Sequence, residues 1–74
     1  MTINQIREDI ESNIGREVNV ILNVGRNRKE YFKAEIEAAY PFIFIMRVLD
    51  SKDGEVKSFS YSDVLTSLIQ IKFE

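Results

Sequence analysis

Neither cysteine nor histidine occurs anywhere in the chain. Their absence removes thiolate nucleophiles, disulfide frameworks, zinc sites of the Cys/His type and every triad that uses imidazole as its base. Long apolar runs are missing too. None approaches the length of a membrane span, and Met1-Thr2-Ile3-Asn4-Gln5 lacks the basic region and apolar core of a secretion signal. A soluble, cytoplasmic protein is expected. Positive charge is not in excess, with twelve acidic side chains against ten basic ones and a net charge of −2. Binding of nucleic acid through the bulk field is therefore unfavourable, and such contact needs a local cluster.

What is present is one domain, residues 1–74, of ordinary globular composition: 45% hydrophobic and 30% charged. At this size only about 60% of the unfolded chain's surface is buried on folding, so the core has to be dense. The stretch Tyr40-Pro41-Phe42-Ile43-Phe44-Ile45-Met46-Arg47-Val48-Leu49 is apolar at both even and odd positions. As a strand it puts Phe42, Phe44, Met46 and Val48 on one face and Ile43, Ile45 and Leu49 on the other. Both faces then need cover.

Before it, Thr2 to Gly15 reads as a helix. Ile3, Ile6, Ile10 and Ile14 form a narrow stripe, Thr2 and Gln5 stand at capping-box spacing, and Gly15 is placed to end the helix in the left-handed conformation. The polar face carries Glu8, Asp9 and Glu11 against Arg7, so anionic lipid would repel it. The period then switches to two. Val18, Val20, Leu22 and Val24 define a strand over 17–24; Phe32, Ala34, Ile36 and Ala38 define another over 31–39, across a turn at Gly25-Arg26-Asn27-Arg28. Pro41 cannot donate to a ladder and should break the chain before the third strand, 42–49. A hairpin at Asp53-Gly54 leads to a fourth strand over 55–61. A helical turn over 62–65, capped by Ser62 or Asp63, precedes a last strand over 67–73.

The predicted fold is mainly β (α+β): an N-terminal helix followed by a five-stranded antiparallel SH3-like small barrel, with a short helical turn before the last strand. Closing the sheet removes most of its exposed edge. The isoleucine stripe is expected to cover the second apolar face of the third strand. At about 1.5 to 3 kcal/mol for each isoleucine buried, the helix would carry much of a net stability of about 5 kcal/mol.

Three clusters could carry chemistry. Arg26, Arg28 and Lys29, with Lys33 beyond them and Tyr31, Phe32 and Tyr40 nearby, are the residue types that hold phosphates and stack bases. Asp50, Asp53 and Glu55 fail the spacing of a calcium loop, because Lys52 stands third and Gly54 fifth, and they read as a hairpin turn. Ser58-Phe59-Ser60-Tyr61-Ser62-Asp63-Val64-Leu65-Thr66 is rich in hydroxyls, but the chain has no histidine to activate one, and capping explains Ser62 and Asp63. Neither a catalytic residue, nor a cofactor site, nor a metal site is expected.

That last segment closely resembles the stretch ending in Asp-Val-Leu-Thr of the small Veg proteins of Gram-positive bacteria. Further features resemble the same family in the same order: the Ile-rich helix ending at Gly15, the basic turn Gly25-Arg26-Asn27-Arg28-Lys29, Tyr40-Pro41 before Phe44, and the closing Ile69-Gln70-Ile71-Lys72-Phe73. Asn27 interrupts a basic run that is usually contiguous, Ala34 replaces a glycine, and Ala38 replaces an acidic residue. The resemblance implies a cytosolic barrel without catalytic activity that stimulates biofilm formation by antagonising a transcriptional repressor of matrix genes.

Two functional expectations follow. One is a protein-interaction module that docks a transcriptional regulator through Tyr40, Tyr61 and the basic tip. The other is a nucleic-acid-binding barrel that uses Arg26, Arg28, Lys29 and Lys33 on phosphates. An apolar strand at an imperfectly closed edge can also pair with its own copy, giving a homodimer.

Overall fold

A computed structural model describes residues 1–73. Its elements are α1 (Ile3–Glu11), β1 (Glu17–Gly25), β2 (Arg28–Ala39), β3 (Ile43–Val48), β4 (Val56–Ser60), α2 (Tyr61–Leu65) and β5 (Ile69–Phe73). The capping box at the start of α1 is complete: Thr2 Oγ1 accepts from the Gln5 N–H at 3.2 Å, and Gln5 Oε1 accepts from the Thr2 N–H at 2.9 Å. The helix ends earlier than its stripe of isoleucines. Asn13 Nδ2 donates to the Asp9 carbonyl at 2.7 Å, taking the acceptor that the helix would give to the Asn13 N–H, which bonds to Ile10 instead. Ile14 is thereby thrown outside the helix.

The chain next reaches Gly15 at φ +86°, a conformation that glycine adopts without strain. Its N–H donates to the Ile36 carbonyl at 2.7 Å, and the Ile36 N–H donates to the Arg16 carbonyl at 3.2 Å. This exchange ties the end of α1 to the middle of β2. Just beyond it the β2–β3 register shifts between Ile36 and Ala38, a bulge that bends β2.

All strand pairs are antiparallel, in the order β4-β3-β2-β1-β5. Laid flat, this order would put β4 and β5 about 19 Å apart. They are joined by α2, about 8 Å long, and by 66–68, in which Ser67 is left-handed rather than extended. The sheet is accordingly curled, and Val18, Val20, Ala34, Ile36, Phe44, Met46 and Ile69 meet in one core with Phe59 packed against it. Ala34 pairs with both Val18 and Val48 at the point where β2 passes from one neighbour to the other. It has no exposed surface. The architecture is the expected small barrel with a helix at its N-terminus.

The helix does not lie where the isoleucine stripe was expected to lie. Ile6 and Ile10 enter the same core as Phe44 and Met46, and α1 packs against α2 and β2. The outer face of β3 is left bare, with Ile43 and Leu49 exposed. The physical reason is the curl: a barrel whose edges are joined by α2 rather than by hydrogen bonds has an open end over its core, and two isoleucines buried there gain more than on a flat outer face. Smaller shifts have local causes. β2 starts at Arg28, earlier than the alternation of apolar residues, because the hairpin arm extends beyond the core and neither of its faces has to be apolar. The short helix begins at Tyr61 with Ser60 as its cap, and Asp63 completes a second capping box: the Asp63 N–H reaches Ser60 Oγ at 3.2 Å and the Ser60 N–H reaches Asp63 Oδ2 at 3.0 Å.

Ile10 is 1% exposed and Ile14 48%. Ile10→Ala should therefore cost about 2 to 4 kcal/mol of unfolding free energy, and Ile14→Ala less than about 0.5 kcal/mol. Urea denaturation of the two variants checks this difference. Equal costs would mean that the stripe acts as a whole.

Candidate functional site

The expected site residues do not converge. Arg26, Arg28 and Lys29 stand exposed at the β1–β2 tip, where Gly25 pairs with Arg28 and Arg26-Asn27 make the turn. Among the described residues they form no ion pair. Asn27 sits at φ +59°, which its short amide side chain tolerates and a long basic one would adopt only with strain. The interruption of the basic run thus suits the left-handed position in the turn. Lys33 lies further along β2 on the outer face, its Nζ 3.8 Å from Glu17 Oε1 and its N–H donating to Asp50 Oδ2 at 3.0 Å.

Tyr40 follows the opposite end of β2. Its N–H donates to the Ile43 carbonyl at 2.8 Å, closing a tight turn through Pro41 and Phe42. Tyr61, expected on the surface, is 1% exposed and belongs to the core. It follows Phe59 by two residues and continues the core-facing side of β4 into α2, its ring stacked on Phe44 with centroids 5.6 Å apart. Its phenol donates to the Tyr40 carbonyl at 2.6 Å and its N–H to the Phe42 carbonyl at 3.4 Å. Tyr61 therefore acts on the surface only by holding the 40–43 turn in place.

That turn presents a residue that the alternation of apolar positions had assigned to the interior. Phe42 is 82% exposed, since β3 begins only at Ile43 and Phe42 belongs to the turn. Pro41 beside it was the available signal. Around Phe42 runs an apolar rim with Tyr40, Ile3 and Ile43, all exposed. A groove of about 210 Å³ between Ile3, Pro41, Phe42 and Ser62 lies on one side. On the other, Glu8 and Glu11 of α1 face Tyr40 and Pro41 across a wider depression. Arg7, which borders the same depression, pairs with Glu11 at 3.5 Å, and among the described residues Glu8 has no ion-pair partner.

The hydroxyl and acidic clusters are structural. Ser60, Ser62 and Asp63 serve the start of α2, and Thr66 Oγ1 donates to the Ser62 carbonyl at 2.9 Å. In the β3–β4 loop the N–H groups of Asp53 and Glu55 both point to Ser51 Oγ at 3.4 Å, and Gly54 is left-handed, as a turn requires. Among the described residues, no helix is long and apolar enough to cross a membrane.

By fold the protein is a small, mainly β barrel that carries a rigid aromatic rim at one end of β2 and a basic tip at the other. It belongs to the VEG family, described as biofilm formation stimulator VEG, which matches residues 1–72. No curated protein matches the chain.

Burial raises the Tyr61 phenol above its ordinary value, the Glu11 carboxylate adds to the rise, and Arg7 opposes it. The protonated form is thus favoured by folding. Its contribution to stability is complete below about pH 10, the ordinary phenol value, and is lost as the pH rises above it. The stability of the wild-type chain should fall more steeply above about pH 10 than that of Tyr61→Phe, measured by urea unfolding across the alkaline range. At neutral pH the variant should be weaker by about 1 kcal/mol, through loss of the bond to Tyr40.

Proposed function

We propose that this VEG-family protein is a non-catalytic cytoplasmic regulator that stimulates biofilm formation by docking a transcriptional repressor of matrix genes and antagonising it. The observation that carries this reading is the exposure of Phe42 on a turn that Tyr61 pins from inside. A phenylalanine held rigidly in water costs free energy unless something covers it, and rigid aromatic anchors dominate protein interfaces because little entropy is lost when they dock. The charge beside the rim suits such a partner. Repressors contact DNA through basic surfaces, and Glu8, with the exposed Asp9 and Glu11 on the same helix, complements such a surface. A rim that is apolar at its centre and acidic at its border would compete with DNA for the repressor.

Phe42→Asp should leave the fold intact, because the side chain touches little of the core, while weakening the docking by about tenfold or more. In a strain whose own copy carries Phe42→Asp, biofilm mass and matrix-gene transcription are expected to fall to the level of a strain lacking the protein, at unchanged protein abundance. Deletion of the repressor should restore both. A Phe42→Asp strain that forms biofilm like the wild type would overturn the proposal.

A further inference from the structure

We propose a second binding surface, independent of the aromatic rim: a groove on the outside of β5, β1 and β2 that takes single-stranded nucleic acid. Register places it. Lys72 pairs with Asn19 and Asn19 with Lys33; Gln70 pairs with Ile21 and Ile21 with Tyr31; Asn23 pairs with Lys29. Alternation along each strand puts all of these side chains on the outer face, away from Val18, Val20 and Ile71. Several of these side chains stand around an open depression. A depression of about 450 Å³ is bounded by Asn19, Ile21, Tyr31, Lys33, Asp50 and Lys72.

Tyr31 is the centre of this surface. It is 71% exposed, yet it stands within the β1–β2 ladder opposite Ile21 rather than in the turn, so its backbone is held by pairing with β1. Lys29 and Lys33 flank it about 7 Å away along β2, and Lys72 lies about 10 Å across the sheet from Lys33. The exposed Arg26 and Arg28 of the tip extend the line beyond Lys29. Among the described residues neither Lys29 nor Lys72 has an ion-pair partner. Lys33 contacts Glu17 only at 3.8 Å with both side chains at least half exposed, a pair that salt or a phosphate displaces easily.

An aromatic ring on a sheet, with cations before and after it, suits a base stacked between two backbone phosphates. Only an unpaired base offers its face to such a ring, which selects a single strand over a duplex. Asp50 borders the groove with its carboxylate turned to the Lys33 N–H, so its charge is partly neutralised by that bond. The whole chain carries −2, and the attraction is therefore local and short-ranged. Affinity should fall steeply with salt.

The test is fluorescence anisotropy of the full chain with labelled oligo(U), oligo(dT) and a mixed-sequence duplex over a range of salt. Either single strand, or both, should bind at low salt in preference to the duplex, and the better of the two identifies the sugar. Tyr31→Ala should weaken binding about fivefold or more, while Tyr31→Phe keeps it. Tyr31→Leu retains bulk over Ile21 without a π face and should lose binding as Tyr31→Ala does. The triple change Lys29→Ala, Lys33→Ala, Lys72→Ala should lower the slope of log affinity against log salt by about 2, and Lys52→Ala, on the β3–β4 loop, should leave it unchanged. No binding of either single strand at low salt overturns the proposal. So does binding that Tyr31→Leu leaves intact, or a duplex bound as tightly as the single strands, since charge alone would then explain the contact.

Discussion

The pair of backbone hydrogen bonds between Ile36 and residues 15–16 is the constraint on which the rest of the structure depends. Strand β2 serves β1 with one half and β3 with the other, and can do so only by bending; a bend at a bulge leaves backbone groups that need partners. The segment just after α1 supplies them. That choice settles where α1 lies, because a helix whose last residues are fixed to the middle of β2 can reach the open end of the barrel and cannot reach the outside of β3. Ile6 and Ile10 then close the core, and the left-handed Gly15 is the corner that makes the approach feasible.

Once α1 is committed to the interior, the surface follows. The outer side of β3 keeps its exposed Ile43 and Leu49, and the turn before it has no helix over it. Tyr61 replaces that missing cover from below. Its ring fills the core against Phe44 while its phenol and N–H hold the carbonyls of Tyr40 and Phe42, so the same residue that seals the barrel also stiffens the turn that exposes Phe42. A turn held in this way has little conformational freedom left to lose on binding, whereas a free loop with the same residues would oppose docking through its entropy.

Much of this fold was legible in the sequence because it rests on local patterns. The Thr2–Gln5 capping box, the alternation in β1 and β2, the break at Pro41 and the Asp53-Gly54 turn each act over a few residues, and each appears where the pattern put it. The family was legible for the same reason, as a run of such features in order. The placement of α1 was not, since which face a helix covers depends on hydrogen bonds between residues 15–16 and residue 36, and no periodicity carries that information. Tyr61 shows the other limit. Its position continues the alternation of β4 on the face of Phe59, but which face of β4 meets the core is decided by the pairing of Phe59 with Phe44, and the pattern within β4 alone does not carry that pairing. Phe42 fails in the opposite sense, because an apolar residue next to a proline has no neighbour that forces it inward.

In the sequence, Arg26, Arg28, Lys29, Lys33, Tyr40 and Tyr61 read as one exposed surface, but β2 separates the basic residues from the two tyrosines. Its outer face and tip carry Arg26, Lys29, Tyr31 and Lys33; beyond its other end lie Tyr40 and Phe42, near the acidic side of α1. A single net charge of −2 conceals this arrangement, since Arg26, Arg28, Lys29 and Lys33 cluster at the hairpin while Glu8, Asp9 and Glu11 cluster on the helix. With opposite charge at opposite ends of one bent strand, the two proposed surfaces call for different partners: a basic protein surface at the rim, an anionic chain at the groove. Neither surface has to be remodelled for the other to work, because the ladder that holds Tyr31 and the hydrogen bonds that hold Phe42 share no residue except through the packed core between them.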